Sequence, residues 1–299
     1  MRSRFTGHAV SSRPGHPYFA GSPLLIAHRG GALLAPENTL IAFQNAVRLW
    51  GADMVEMDVQ LTRDGEVVVI HDETVDRTTD GRGRVADLTY SQLQSMDAGY
   101  GFRDPEGNPT FRGTGVTVPR FEDVLLALPD TRMNVEAKDD RSAPDLVKII
   151  LKHGAQDRVL VAAEFEKNRE AVKGYPGPWG ASREDLLQFL KAVYWPWGRK
   201  QGLDCDVLQI PEKHRGLRLL NRRFLVEAHA RNLPIHVWTV NDGNDMRRLV
   251  RMGVDGVQTD RPDRLAWVLT ELVGRPLPPA AASTGPPSDG VAEQAEGAE

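Results

Sequence analysis

Glu56 and Asp58 stand two residues apart in the run Met54-Val55-Glu56-Met57-Asp58-Val59-Gln60-Leu61. A strand sends alternate side chains to opposite faces. Val55, Met57, Val59 and Leu61 then share one face, and Glu56, Asp58 and Gln60 the other. The two carboxylates lie within about 7 Å of each other on that face. Like charges this close need a shared proton or a cation. A hard divalent cation with oxygen ligands suits them. A strand with a solvated polar face shows the same alternation, so the pair gains meaning only from its neighbours. His28 closes one apolar run, Leu24 to Ala27, and His71 closes another, Val67 to Ile70. Two imidazoles at strand ends beside an acidic pair form an acid/base constellation. In Arg132 to Lys138, alternation puts Asn134, Glu136 and Lys138 on one face. Glu136 can supply a third carboxylate to the cation, and Lys138 a point charge for a phosphate. A cross-strand ion pair between the two is the plainer alternative.

These groups need a scaffold that brings several strand ends together. The chain supplies an alternation of strand-like and helix-like runs. Strands are expected at Leu24 to Ala27, Met54 to Leu61, Val67 to Ile70, Arg132 to Lys138, Val159 to Ala163, Val207 to Ile210, Ile235 to Val240 and Gly256 to Thr259. Helices are expected at Thr39 to Trp50, Glu122 to Leu128, Ala143 to Lys152, Asn221 to Arg231, Asp242 to Met252 and Asp263 to Val273. Leu40, Phe43, Val47 and Trp50 recur near helical spacing, and Asn38 or Thr39 can cap that helix. The pattern predicts an α/β chain folded as a closed (β/α)8 TIM barrel of parallel strands, with chemistry at their C-terminal ends. Asp72 to Arg120 breaks the alternation, and a loop this long in a compact domain is usually functional. Trp238 is expected to face the cavity beside His236, opposite Val237 and Thr239.

Six motifs occur in order: His28-Arg29-Gly30, Pro36-Glu37-Asn38-Thr39, Glu56-Met57-Asp58, His71-Asp72, Asn134-Val135-Glu136-Ala137-Lys138 and Val237-Trp238-Thr239-Val240-Asn241. Together they resemble the glycerophosphodiester phosphodiesterase family, over roughly Leu24 to Leu272. The resemblance implies a TIM barrel whose insertion after the third strand, about residues 72–120, caps the site. It implies metal-dependent hydrolysis of glycerophosphodiesters to glycerol 3-phosphate and an alcohol such as choline or ethanolamine. Glu56, Asp58 and Glu136 would hold one Mg²⁺ or Ca²⁺. His28 and His71 would share the acid/base work, with His71 as base and His28 as leaving-group acid. Arg29 and Lys138 would neutralise the phosphate, and Trp238 would lie against the glycerol backbone. Glycerol's own 2-hydroxyl would attack first, giving a cyclic phosphate that water opens. Glu164 departs from the small hydroxyl residue that the family often places before Phe165. A lysophospholipase D using the same groups is the alternative substrate reading. A non-catalytic glycerophosphodiester-binding barrel is another, though a binder has no need of both histidines.

Composition narrows the rest. The 299 residues are 40% hydrophobic and 26% charged, with a formal net charge of −4. That is an ordinary globular balance with no basic footprint for nucleic acid. The single cysteine, Cys205 between Asp204 and Asp206, excludes an internal disulfide and reads as structural. Residues 1–22 read as a flexible leader without a signal-peptide core. Residues 274–299 read as a disordered acidic tail. Residues 23–273 then form the barrel domain. No run of about 20 apolar residues exists, so cytoplasmic location is the default. Tyr175-Pro176-Gly177-Pro178-Trp179 and Tyr194-Trp195-Pro196-Trp197 suit either an aromatic lip for a greasy group or membrane surface, or the packing of barrel helices.

Overall fold

The computed structural model describes residues 16–194, 203–214, 217–281 and 285–287. Its strands are β1 (Leu24–Ala27), β2 (Met54–Leu61), β3 (Val67–Val69), β4 (Arg132–Ala137), β5 (Val159–Ala162), β6 (Leu208–Pro211), β7 (Lys213–His214), β8 (Leu217–Arg218), β9 (Ile235–Trp238) and β10 (Gly256–Thr259). Its α-helices are α1 (Leu40–Trp50), α2 (Tyr90–Gln94), α3 (Phe121–Ala127), α4 (Ser142–Lys152), α5 (Glu166–Arg169), α6 (Arg183–Tyr194), α7 (Arg222–His229), α8 (Gly243–Met252) and α9 (Pro262–Val273). Seven strands form a curled parallel sheet in the order β5-β4-β2-β1-β10-β9-β6.

The two ends of that sheet are β5 and β6, and one short segment bridges both. Val161 pairs in parallel with Trp179, and Gly180 pairs in parallel with Val207. The sheet therefore returns on itself through residues 179–180. The ring's makeup corrects one expectation. The third strand was expected to join the parallel ring, but β3 runs antiparallel to β2, with Val59 opposite Val69 and Leu61 opposite Val67. The Asp64-Gly65 turn is too short for a parallel crossover, which needs a dozen residues or more. Of the two readings of the Tyr175-to-Trp179 stretch, packing is the one that holds, since Tyr175 and Trp179 are both buried. The Tyr175 hydroxyl donates to the Val159 carbonyl at 2.6 Å. Trp195 and Trp197 lie outside the described residues.

Alternation on the barrel strands separates two interiors. Val55, Met57 and Val59 face out and pack with Phe43 and Ala46 of α1 and Leu146 and Ile150 of α4. Leu24, Ile26, Met54, Leu160 and Val207 face in and form the barrel floor around Tyr18. The floor reaches into the expected leader. The Tyr18 hydroxyl donates to the Met133 carbonyl at 2.8 Å, and Arg132 Nη1 donates to the Tyr18 carbonyl at 2.8 Å. The first residues of the expected tail are also tied down. Arg275 reaches Asp53 at 2.6 Å and the Pro23 carbonyl at 2.6 Å.

Local chemistry sets the helix ends. Thr39, rather than Asn38, caps α1, its hydroxyl accepting from the Ala42 amide at 3.4 Å. Asp242 caps α8 through the Asn244 and Asp245 amides at 2.9 and 3.0 Å. Residues 70–120 hold a small apolar cluster of Ile70, Val75, Val85, Leu93, Ala98 and Val118 against Val68 of β3. Cys205 is buried and free.

Candidate active site

Strand register assembles the site. On β2 and β4, Glu56 pairs with Asn134 and Asp58 with Glu136. Partnered residues in a parallel sheet point the same way, so Asp58 and Glu136 emerge side by side. On β1, Ala27 pairs with Val55 of β2 and with Thr259 of β10. One residue further on, His28 stands between Glu56 and Asp260. The side-chain distances agree. His28 Nε2 lies 4.0 Å from Glu56, and His28 Nδ1 lies 2.7 Å from Asp260.

Three carboxylates converge. Glu56, Asp58 and Glu136 each offer an oxygen within 4.8 Å of the others. Glu56 and Asp58 are buried. Burial and the neighbouring Asp58 push the Glu56 carboxyl above the usual carboxylate range. Burial also disfavours charge on Asp58, but Lys138, Arg29 and His71 outweigh it and hold that carboxyl well below its ordinary value. Glu136 is raised, mainly by burial. Carboxylates pressed together so that some resist ionisation, all oxygen donors and without cysteine, fit a hard divalent cation. Glu136 of β4 stands where a third carboxylate was expected, and Lys138 pairs with Glu136 along its own segment rather than across strands, and with Asp58 on β2. Its Nζ lies 3.2 Å from Glu136 and 3.3 Å from Asp58.

The turn after β1 shapes the cationic side. Arg29 adopts φ 49°. Its amide donates to Glu56 at 2.9 Å, its Nη1 reaches Glu37 at 3.1 Å, and its Nε lies 3.3 Å from Asp58. Gly30 at φ 85° makes this turn possible. A Cβ there would stand 2.7 Å from the Ala42 Cβ and 3.0 Å from the Ala42 backbone carbon.

Each histidine is anchored through Nδ1. His71 Nδ1 meets Asp72 at 2.7 Å, and His28 Nδ1 meets Asp260 at 2.7 Å. An ionised carboxylate can only accept, so both rings carry a hydrogen on Nδ1 and present Nε2 for chemistry. Burial works against the imidazolium of His28, but Asp260 and Glu56 overcome it and push its pKa up to about 9. Asn241 donates to Asp260 at 2.9 Å and takes the Asp260 amide at 2.9 Å, fixing that carboxylate. Gln60 donates to the His71 carbonyl at 2.9 Å and also to that of Asp72.

Sequence reasoning missed Asp260 as the partner of His28, although it ends an apolar strand just as His28 does. Glu37, Asn38, Asp72 and Asn241 stand within the sequence motifs, but a motif does not show which groups in the site they bond. Asn38 donates to Asp58 at 3.0 Å. Of the expected site residues, His28, Arg29, Glu56, Asp58, His71, Glu136 and Lys138 gather at one end of the barrel. Trp238 ends β9 with 41% of its surface exposed. Among the described residues no hydrogen bond or ring contact joins it to the acidic cluster.

Comparison with known proteins gives a consistent result. The model of the glycerophosphoryl diester phosphodiesterase family matches residues 28–176 and 180–264. A glycerophosphodiester phosphodiesterase of Caldanaerobacter subterraneus subsp. tengcongensis is 34% identical over 256 residues, covering 81% of this chain and 96% of its own. A lysophospholipase D of Rattus norvegicus is 27% identical, covering 83% of this chain and 86% of its own. The solved glycerophosphodiester phosphodiesterase of Agrobacterium tumefaciens is 26% identical with a TM-score of 0.65, covering 82% of this chain and 99% of that one. With its ordered motifs on neighbouring strand ends and a family match across most of its length, the chain belongs to the glycerophosphoryl diester phosphodiesterase family.

Proposed function

We propose that this protein is a metal-dependent glycerophosphodiester phosphodiesterase that uses His71 as general base and His28 as general acid. The observation that carries the reading is the pair of carboxylate-anchored histidines flanking three convergent carboxylates. The relatives' names supply the substrate class. Glu56, Asp58 and Glu136 would hold a divalent cation, which would supply Lewis-acid polarisation of a phosphoryl oxygen.

The chain's own groups do the rest. Arg29 and Lys138 bind the remaining phosphoryl oxygens, Arg29 with the planar fork suited to two parallel bonds. In the first step His71 Nε2 takes the proton of the attacking hydroxyl, glycerol's own 2-hydroxyl. A bond forms between that oxygen and phosphorus. The bond from phosphorus to the alcohol breaks, and His28 Nε2 gives a proton to the leaving oxygen. In the second step the roles reverse, His28 taking a proton from water as the water oxygen bonds to phosphorus, and His71 returning its proton to glycerol's 2-oxygen as that oxygen's bond to phosphorus breaks. His28, charged up to about pH 9, is the group equipped to give that proton. Segment 72–120 covers the site, and Trp238 walls it on the glycerol side.

The lysophospholipase D of rat and its human counterpart, each 27% identical, favour a second substrate on the same machinery. Choline release from glycerophosphocholine and from lysophosphatidylcholine, with EDTA, Mg²⁺ or Ca²⁺ present, separates the two. Release from the small diester that EDTA abolishes supports the main reading. Release from the lysolipid alone supports the second. Release that EDTA leaves untouched contradicts the metal role in both.

A further inference from the structure

Arg77 lies in the segment after β3, outside every motif that the function draws on. Its guanidinium grips two carboxylates at once. Nε and Nη2 meet Asp72 at 2.7 and 3.0 Å, and Nη1 and Nη2 meet Glu37 at 2.7 and 2.8 Å. Each of those carboxylates holds a second, functional group. Asp72 takes His71 Nδ1 at 2.7 Å, and Glu37 takes Arg29 Nη1 at 3.1 Å. One guanidinium is thus joined, through one carboxylate on each side, to the base and to the phosphate-facing arginine.

Stability is a poor explanation for this arrangement. The Arg77 side chain is 48% exposed, and ion pairs at such exposure contribute roughly 0–1 kcal/mol. Geometry is a better one. A planar fork with two-point contacts fixes orientation as well as distance, which a lysine's point charge does not. Without Arg77, Glu37 and Asp72 would face each other as like charges, free to turn away from Arg29 and His71. Asp72 fixes the tautomer of His71, so a displaced Asp72 lets the ring hydrogen move to Nε2, the atom that must be bare to act as base.

We propose that Arg77 is a positioning residue that sets His71 and Arg29 relative to each other and makes the site depend on the docking of segment 72–120. The proposal rests on the roles of His71 and Arg29 given above, and it adds a residue whose guanidinium bonds run to Asp72 and Glu37 rather than to the acidic triad. A misplacement of about 1 Å at a reacting group costs on the order of 100-fold in rate.

The test compares Arg77→Ala and Arg77→Lys with wild type in the full chain, loaded with the activating cation. Expected for Arg77→Ala is a loss on the order of 100-fold in kcat/KM, carried mainly by kcat. The melting temperature should stay within a few degrees, and added methylguanidinium should restore part of the rate. Arg77→Lys should remain impaired despite its charge. Activity of Arg77→Ala within about twofold of wild type overturns the proposal, as does full rescue by lysine. Nitrogen-15 spectra of the His71 ring give a readout that needs no turnover. Wild type should show hydrogen on Nδ1 and a bare Nε2, and Arg77→Ala a mixture of the two tautomers. If wild type cleaves no diester, the functional reading fails, and the spectra still decide the positioning role. An unchanged tautomer in Arg77→Ala, or in Arg77→Lys should the alanine variant not fold, overturns it.

Discussion

His28 and His236 occupy the same barrel interior, one at the mouth and one at the floor, and their titrations are driven in opposite directions. His236 is fully buried beside Phe19, with ring centroids 5.7 Å apart, and among the described residues neither of its nitrogens has a hydrogen-bond partner. Burial, helped by Arg132, pushes its pKa down to about 3. His28 meets the same penalty from burial, but Asp260 and Glu56 reverse it, to about 9. Depth alone therefore does not decide the charge of a group in this barrel. The partners that strand register places beside it do. The floor is built from Leu24, Ile26, Met54 and Leu160 and keeps its histidine neutral. The mouth is built from the same alternating positions two or four residues further along, and there each buried charge has an opposite neighbour.

The largest expected effect comes from breaking the mouth. Asp58→Ala leaves Arg29 and Lys138 without their shared anion and removes a ligand from the acidic triad. Calorimetry should show loss of Mg²⁺ or Ca²⁺ binding, and steady-state assays no measurable turnover. Next is Asp260→Asn, which keeps the shape but removes the charge that raises His28. His28 must be protonated to act as acid, so wild-type kcat/KM should fall as pH rises through about 9. In the variant this alkaline limb should move to lower pH, and a limb that stays in place would exclude His28 as the acid.

The floor gives the opposite experiment. His236 has a folded pKa of about 3, below an unfolded value of about 6.5. Above about 6.5 neither state binds the proton, and the full stability is present. As pH falls from about 6.5 toward about 3, the unfolded chain gains a proton that the folded chain refuses, and stability is lost. The loss is on the order of 5 kcal/mol at its limit. His236→Leu should flatten this part of the profile of denaturant midpoint against pH while leaving turnover near wild type. The smallest effect expected is on the turn that aims Arg29. Gly30→Ala must adopt φ 85° and crowd Ala42, at a cost of roughly 1–3 kcal/mol. Chemical denaturation measures it.

The same contrast explains what the sequence made legible. Strict period two in Met54 to Leu61 and Arg132 to Lys138 revealed the acidic triad and Lys138, because in those strands alternation alone sets the face. Strand ends revealed His28 and His71. Partnership across strands was hidden. Asp260 lies 232 residues from His28, and only the register of β1 against β10 brings them together. The ring's returning segment at 179–180 was hidden for a different reason. Pro176-Gly177-Pro178 reads as a loop, whereas Val67 to Ile70 has stronger strand character and goes instead into an antiparallel hairpin with β2. Local propensity identified a strand there without fixing its direction or its sheet partner. The Arg77 bonds were hidden because a long loop carries no periodicity from which to read a partner.

The most direct test of the central claim is glycerol 3-phosphate release from glycerophosphocholine by wild type and His71→Ala, each with the activating cation and with EDTA. The account predicts release by wild type that EDTA abolishes, and a loss of about 10²- to 10⁴-fold in the variant with metal binding retained. Release by His71→Ala at the wild-type rate, with the cation bound, would contradict the assignment of the carboxylate-anchored imidazole as base.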